Sequence, residues 1–100
     1  MPAVSRHTDS LSTGHICAST TTLDTPGQGT CFANSLLIAR VTDPTVSHPF
    51  PPAPICNPHV ANVNVGSPNV FVESLPVARL GDSADSGNMI SGSDNVFANG

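Results

Sequence analysis

Tryptophan and tyrosine are absent, phenylalanine occurs 4 times, and charged residues make up only 10% of the 100 positions. A core built here forgoes the largest apolar side chains and must rest on small ones. Lysine and arginine number 3 against 7 acidic residues, a net charge of −4. That balance excludes a nucleic-acid binder, which needs a positive footprint for the phosphate backbone. No apolar run approaches the roughly 20 residues of a membrane-spanning helix. No basic amphipathic stretch reads as a helix lying on a membrane. The start, Met1-Pro2-Ala3-Val4-Ser5-Arg6, lacks the charged-then-apolar layout of a Sec signal.

What is present is turn chemistry, with 10 prolines and 8 glycines among many Ser, Thr and Asn residues. The 38% of hydrophobic residues and the low charge are the reverse of a disordered composition. The expectation is a single folded domain over residues 1–100, its core small enough to need a metal, a disulfide or a partner. Cys17, Cys31 and Cys56 cannot all pair within one chain, which leaves one disulfide plus a free thiol, or metal ligation. Cys31 sits in a strand-like run, Thr30-Cys31-Phe32-Ala33, and reads as a small buried hydrophobe. In a reducing cytoplasm, ligation is the better use of a thiol set among histidines.

An internal repeat organises the chain. Thr30-Cys31-Phe32-Ala33-Asn34-Ser35-Leu36-Leu37-Ile38-Ala39-Arg40-Val41-Thr42-Asp43 aligns without gaps on Asn69-Val70-Phe71-Val72-Glu73-Ser74-Leu75-Pro76-Val77-Ala78-Arg79-Leu80-Gly81-Asp82. Its first half returns at Gly92-Ser93-Asp94-Asn95-Val96-Phe97, and its second half stands at Val4-Ser5-Arg6-His7-Thr8-Asp9. If the two terminal halves pair, the chain holds three units related by a pseudo-threefold axis. Phe32, Phe71 and Phe97 would then share one apolar layer near that axis, the alternative being that each packs locally. Each unit reads as a β-hairpin: β-branched and aromatic residues, a two-residue turn, and a return strand closed by a Gly-Asp or Thr-Asp turn. Arg6 and Asp9, Arg40 and Asp43, and Arg79 and Asp82 read as turn-stabilising pairs.

Histidine and cysteine gather in two loops between the units, Thr13-Gly14-His15-Ile16-Cys17 and Ser47-His48-Pro49-Phe50-Pro51-Pro52-Ala53-Pro54-Ile55-Cys56-Asn57-Pro58-His59. The prolines stiffen the second loop and remove hydrogen-bond donors from it. Neutral imidazoles and a thiolate suit four-coordinate zinc, and Cys56-x-x-His59 lets both side chains reach one ion. His48 and His15 complete a candidate set of His15, His48, Cys56 and His59. Cys17 competes with Cys56 for the thiolate place, and the alternative is that these histidines are merely exposed. His7 falls at the place of Val41 and Leu80 inside a repeat and is expected to pack or face water.

Catalysis finds little support. Neither a G-x-S-x-G elbow nor an H-E-x-x-H helix occurs. A zinc hydrolase keeps an open coordination position and a nearby carboxylate base, and the proline-rich loop contains neither Asp nor Glu. The expectation is a non-enzyme with a closed structural site; the competing reading is a small zinc-dependent hydrolase or metal-binding effector.

Gly66-Ser67-Pro68-Asn69-Val70-Phe71-Val72 followed by Pro76-Val77-Ala78-Arg79-Leu80-Gly81-Asp82 resembles the PAAR-repeat family, named for a Pro-Ala-Ala-Arg motif. Leu37-Ile38-Ala39-Arg40 and Ala3-Val4-Ser5-Arg6 are weaker copies, and the resemblance runs from Pro2 to Gly100. Val77 stands where the motif has its first Ala, and Glu73-Ser74 and Asn34-Ser35 stand where Asn-Gly turns are usual. The resemblance implies an all-β cone of short hairpins, pinned near its vertex by one zinc ion (iron is the other candidate) on His15, His48, Cys56 and His59. It further implies a monomeric tip seated on a homotrimeric β-helical spike, VgrG-like or from a phage, in a contractile tail or type VI secretion system. Such a tip pierces a target membrane transiently. It rides on the virion tail, or on a spike assembled in the cytoplasm and delivered outside the cell. A cone tip has little room for a core, and structural zinc can contribute on the order of 10 kcal/mol to folding.

Overall fold

The computed structural model of the chain describes residues 2–50 and 56–98. No helix occurs among them; the chain is all-β, in ten strands of two or three residues. These are β1 (Ser10–Ser12), β2 (Thr20–Thr22), β3 (Phe32–Ala33), β4 (Leu36–Leu37), β5 (His48–Phe50), β6 (Asn57–His59), β7 (Phe71–Val72), β8 (Leu75–Pro76), β9 (Ser83–Ala84) and β10 (Gly87–Asn88). They pair as five antiparallel ribbons within a body of 41 × 23 × 22 Å. Residues 51–55 of the proline-rich loop lie outside the described residues.

The repeat becomes a pseudo-threefold symmetry. Phe32 pairs with Leu37, Phe71 with Pro76, and Phe97 with Ala3 across the two terminal halves. At the centre Ala39 N–H donates to Ser5 O, Ser5 N–H to Ala78 O, and Ala78 N–H to Ala39 O, each at 2.9 Å. This closed ring is fully buried, which only small side chains permit. Sheet edges left open elsewhere in such short strands are here paired around a circle.

Below the ring, each Arg-x-x-Asp forms the same turn. Asp9, Asp43 and Asp82 donate their N–H to the carbonyls of Arg6, Arg40 and Arg79 at 2.9–3.0 Å. Each carboxylate accepts the N–H of its arginine in return, at 2.7–2.8 Å. The third residue of the turn has positive φ in all three copies: Thr8 at 77°, Thr42 at 79° and Gly81 at 90°, as a type II turn requires. Arg79 grips Asp82 with two parallel bonds of 2.9 Å, Nε to Oδ2 and Nη2 to Oδ1, the strong forked geometry.

Two apolar clusters flank the ring. Leu11, Leu23, Ala39, Val63, Ala78, Ala84 and Met89 fill one, and Val4, Ala33, Val77 and Ala98 the other. The three phenylalanines are not in either. Phe32, Phe71 and Phe97 remain 56%, 55% and 48% exposed, so the expected apolar layer near the axis is made instead by their neighbours. Strand alternation explains the difference: Ala33 and Ala98 turn inward onto the second cluster with Val72, and the preceding phenylalanines turn outward. The hairpin turns Asn34-Ser35 and Glu73-Ser74 carry positive φ at both central residues, 54° and 67°, then 46° and 71°. This is the type I′ geometry that suits the twist of two-residue hairpins, reached without the usual glycine.

Candidate metal centre

Each unit runs from its phenylalanine through the ring and the Arg-x-x-Asp turn into a loop at the far end. Three such loops converge. The first, after β1, is folded by the buried Thr13, whose hydroxyl donates to Ala18 O. Gly14, at φ 75°, lies so close to the third loop that a Cβ on it would stand 2.2 Å from Ser86 O. No other residue fits there, and the contact is sealed by Ser86 N–H donating to Thr13 O at 3.0 Å. His15 follows and turns inward.

The second loop is the β5–β6 ribbon. His48 lies directly opposite His59, and Pro49 opposite Pro58. The two missing proline donors therefore fall on one rung, and the histidines share one face. Their rings meet edge to face at 4.6 Å and 87°, and His15 stacks on His48 at 5.3 Å and 11°.

The third loop is the turn between β9 and β10. Asp85 sits there at φ 54°, its N–H donating to Asn62 O at 3.1 Å and its carbonyl accepting from Asn64 Nδ2 at 2.9 Å. Its carboxylate Oδ2 lies 2.9 Å from His15 Nε2, 2.8 Å from His48 Nε2 and 3.2 Å from His59 Nε2. Burial acts to raise the Asp85 pKa, but the bonds to His59, His48 and His15, and the charge of His15, together hold it below the ordinary value.

The other ring nitrogens of His48 and His15 are also engaged. His48 Nδ1 lies 2.8 Å from Val46 O, and His15 Nδ1 3.1 Å from Ile16 O. A carbonyl only accepts, so both Nδ1 atoms carry the hydrogen. Nε2 is therefore the nitrogen that each of these rings turns to the centre, where it can donate a hydrogen to the Asp85 carboxylate or, in a neutral ring, offer its lone pair to a cation. A backbone carbonyl behind the imidazole is also the usual support of a metal-binding histidine. The four donor atoms lie within 4.8 Å of one another. A tetrahedral ion at about 2.0–2.1 Å from each would space them about 3.4 Å apart, a small adjustment. The donor set thus fits a divalent cation.

His15, His48 and His59 come together as one group. Cys56 is joined to Cys17 in a disulfide, with Cα atoms 6.2 Å apart, so its sulfur is committed to a covalent link between the first two loops. Cys31 is free and only partly buried. The absence of acidic residues from the proline-rich loop suggested a site with no carboxylate beside the histidines; the structure brings one from a different unit. The repeat itself carried the signal for Asp85. It stands six residues after Arg79, as His48 stands eight after Arg40 and His15 nine after Arg6, and three loops meeting at one vertex imply a contribution from each.

The family model for the PAAR motif matches residues 13–91. No curated protein matches the chain.

Proposed function

Because the chain belongs to the PAAR-motif family, a family of structural spike tips of contractile injection systems, we propose that it caps a trimeric β-helical spike and is driven with it through a target membrane. The observation that carries this reading is the trio of Phe32, Phe71 and Phe97. Exposed aromatics are costly to leave in water and are enriched in the centres of interfaces. These three occupy equivalent positions around a pseudo-threefold axis, so each can make the same contact with one chain of a homotrimer. One tip, residues 1–100 acting as a unit, sits on three spike chains, with strand addition at the hairpin edges as a further contact. The metal centre lies at the opposite end of each unit and acts as a structural clasp, with four protein donors leaving no open position for a substrate. Zinc is the ion we assign, and the assembled spike carries the tip out of the cell.

The test is co-purification with the spike trimer of the same machine, read by native mass spectrometry. One copy per trimer is expected, and the combined variant Phe32→Ser, Phe71→Ser and Phe97→Ser should fold yet no longer bind. A triple variant that still binds as wild type removes the base contact; failure of the wild type to bind any trimer overturns the tip reading.

A further inference from the structure

We infer that the vertex holds its divalent cation through a sulfur-free set, His15, His48 and His59 Nε2 with Asp85 Oδ2, while Cys17 and Cys56 act only as a separate covalent tie. The inference rests on the tip reading for its setting and on the geometry of the centre for its content. Asp85 Oδ2 is within 3.2 Å of all three imidazoles, and its side chain is only 4% exposed. Among the described residues it completes the group of donor atoms that lie within 4.8 Å of one another. The Nε2 atoms of His15 and His48 are aimed at it because their Nδ1 atoms are engaged by carbonyls. The three ring centroids lie 4.6–5.3 Å from one another, close enough for one ion to reach all three rings and the carboxylate together.

The sulfurs are placed differently. Cys17 follows His15 by two residues on an exposed stretch, and the backbone there has φ 82°. With His15 turned into the centre, Cys17 turns out of it and meets Cys56 across the gap between loops. The division of labour has a chemical consequence. Thiolates favour soft ions and are lost to oxidation. Imidazoles with a carboxylate suit borderline divalent ions such as zinc or ferrous iron, and nothing in the set oxidises to a disulfide. A tip with this centre keeps its ion in an oxidising exterior, where the cysteines are paired.

Cobalt(II) is the probe. Loaded into the wild-type protein without reductant, it should show the visible bands of a tetrahedral site and no intense near-ultraviolet thiolate-to-cobalt charge-transfer band. Cys17→Ser with Cys56→Ser should leave that spectrum and the cobalt stoichiometry unchanged. Asp85→Ala should weaken cobalt binding beyond the roughly 10–100-fold that loss of a supporting partner costs. A charge-transfer band in the wild type, or cobalt lost from the double serine variant and kept by Asp85→Ala, would make a cysteine the fourth ligand. Absence of any cobalt site would also overturn the inference. Each of these outcomes is independent of spike binding, so failure here and failure of the tip reading are told apart.

Discussion

Removing the Cys17–Cys56 bridge should cost the metal-free protein a great deal and the loaded protein little. The bridge joins positions 39 residues apart, and closing a loop of that size removes about 4 kcal/mol of chain entropy from the unfolded state. A small domain is stable by only about 5–15 kcal/mol, so this is a large share. A cation held by His15 and His59 closes nearly the same loop, since His15 precedes Cys17 by two residues and His59 follows Cys56 by three. Once one closure exists, the second has little freedom left to remove, and the two contributions are strongly non-additive. The assay is a four-armed cycle of urea denaturation: wild type and Cys17→Ser with Cys56→Ser, each with one equivalent of zinc and after chelation. The expected loss on removing the bridge is about 3–4 kcal/mol in the chelated pair and below about 1 kcal/mol in the loaded pair. Equal losses in both pairs would refute the reasoning, because they would show that the ion does not tie the first loop to the β5–β6 ribbon.

Two further substitutions probe the backbone. Gly14→Ala places a Cβ 2.2 Å from Ser86 O at φ 75° and should destabilise by about 2–4 kcal/mol in urea denaturation, the sum of left-handed strain and a lost backbone bond. Ser74→Gly, at an exposed turn position of φ 71°, should raise the thermal midpoint. The gain is up to about 1 kcal/mol, since relief of strain is partly offset by the freer unfolded chain.

The parts of the molecule legible from sequence are those in which one residue type has one physical use. Arg6, Arg40 and Arg79 with their aspartates marked three copies of a turn, because a charged pair at that spacing in a charge-poor chain has few other roles. The repeat around them pointed to the pairing of the terminal halves, which Ala3 and Phe97 make, whereas the hydrogen-bonded ring of Ser5, Ala39 and Ala78 had no mark of its own in the sequence. Side-chain direction was not legible in the same way. Strands of two residues show too little alternation to say whether Phe32 or Ala33 faces inward, and hydrophobicity alone favoured the phenylalanine. At the vertex, His15, His48 and His59 announced themselves by type. Asp85 did not, because the run Gly81-Asp82-Ser83-Ala84-Asp85-Ser86 reads as a polar turn in which Asp is ordinary. The fate of Cys56 depended on a contact between loops separated by a whole unit, which no local spacing contains.

On the proposed seating, the three equivalent phenylalanines also change the statistics of assembly. A cap with interchangeable contact points can seat on a threefold partner in any of three rotational settings, a degeneracy worth RT ln 3, about 0.65 kcal/mol of association free energy. An encounter that arrives a third of a turn away from another is equally productive, so docking does not wait for one azimuth. The chemistry of the units diverges most at the far end, where one brings a single histidine, the next brings two and the last an aspartate, away from the phenylalanines on which the proposed seating depends.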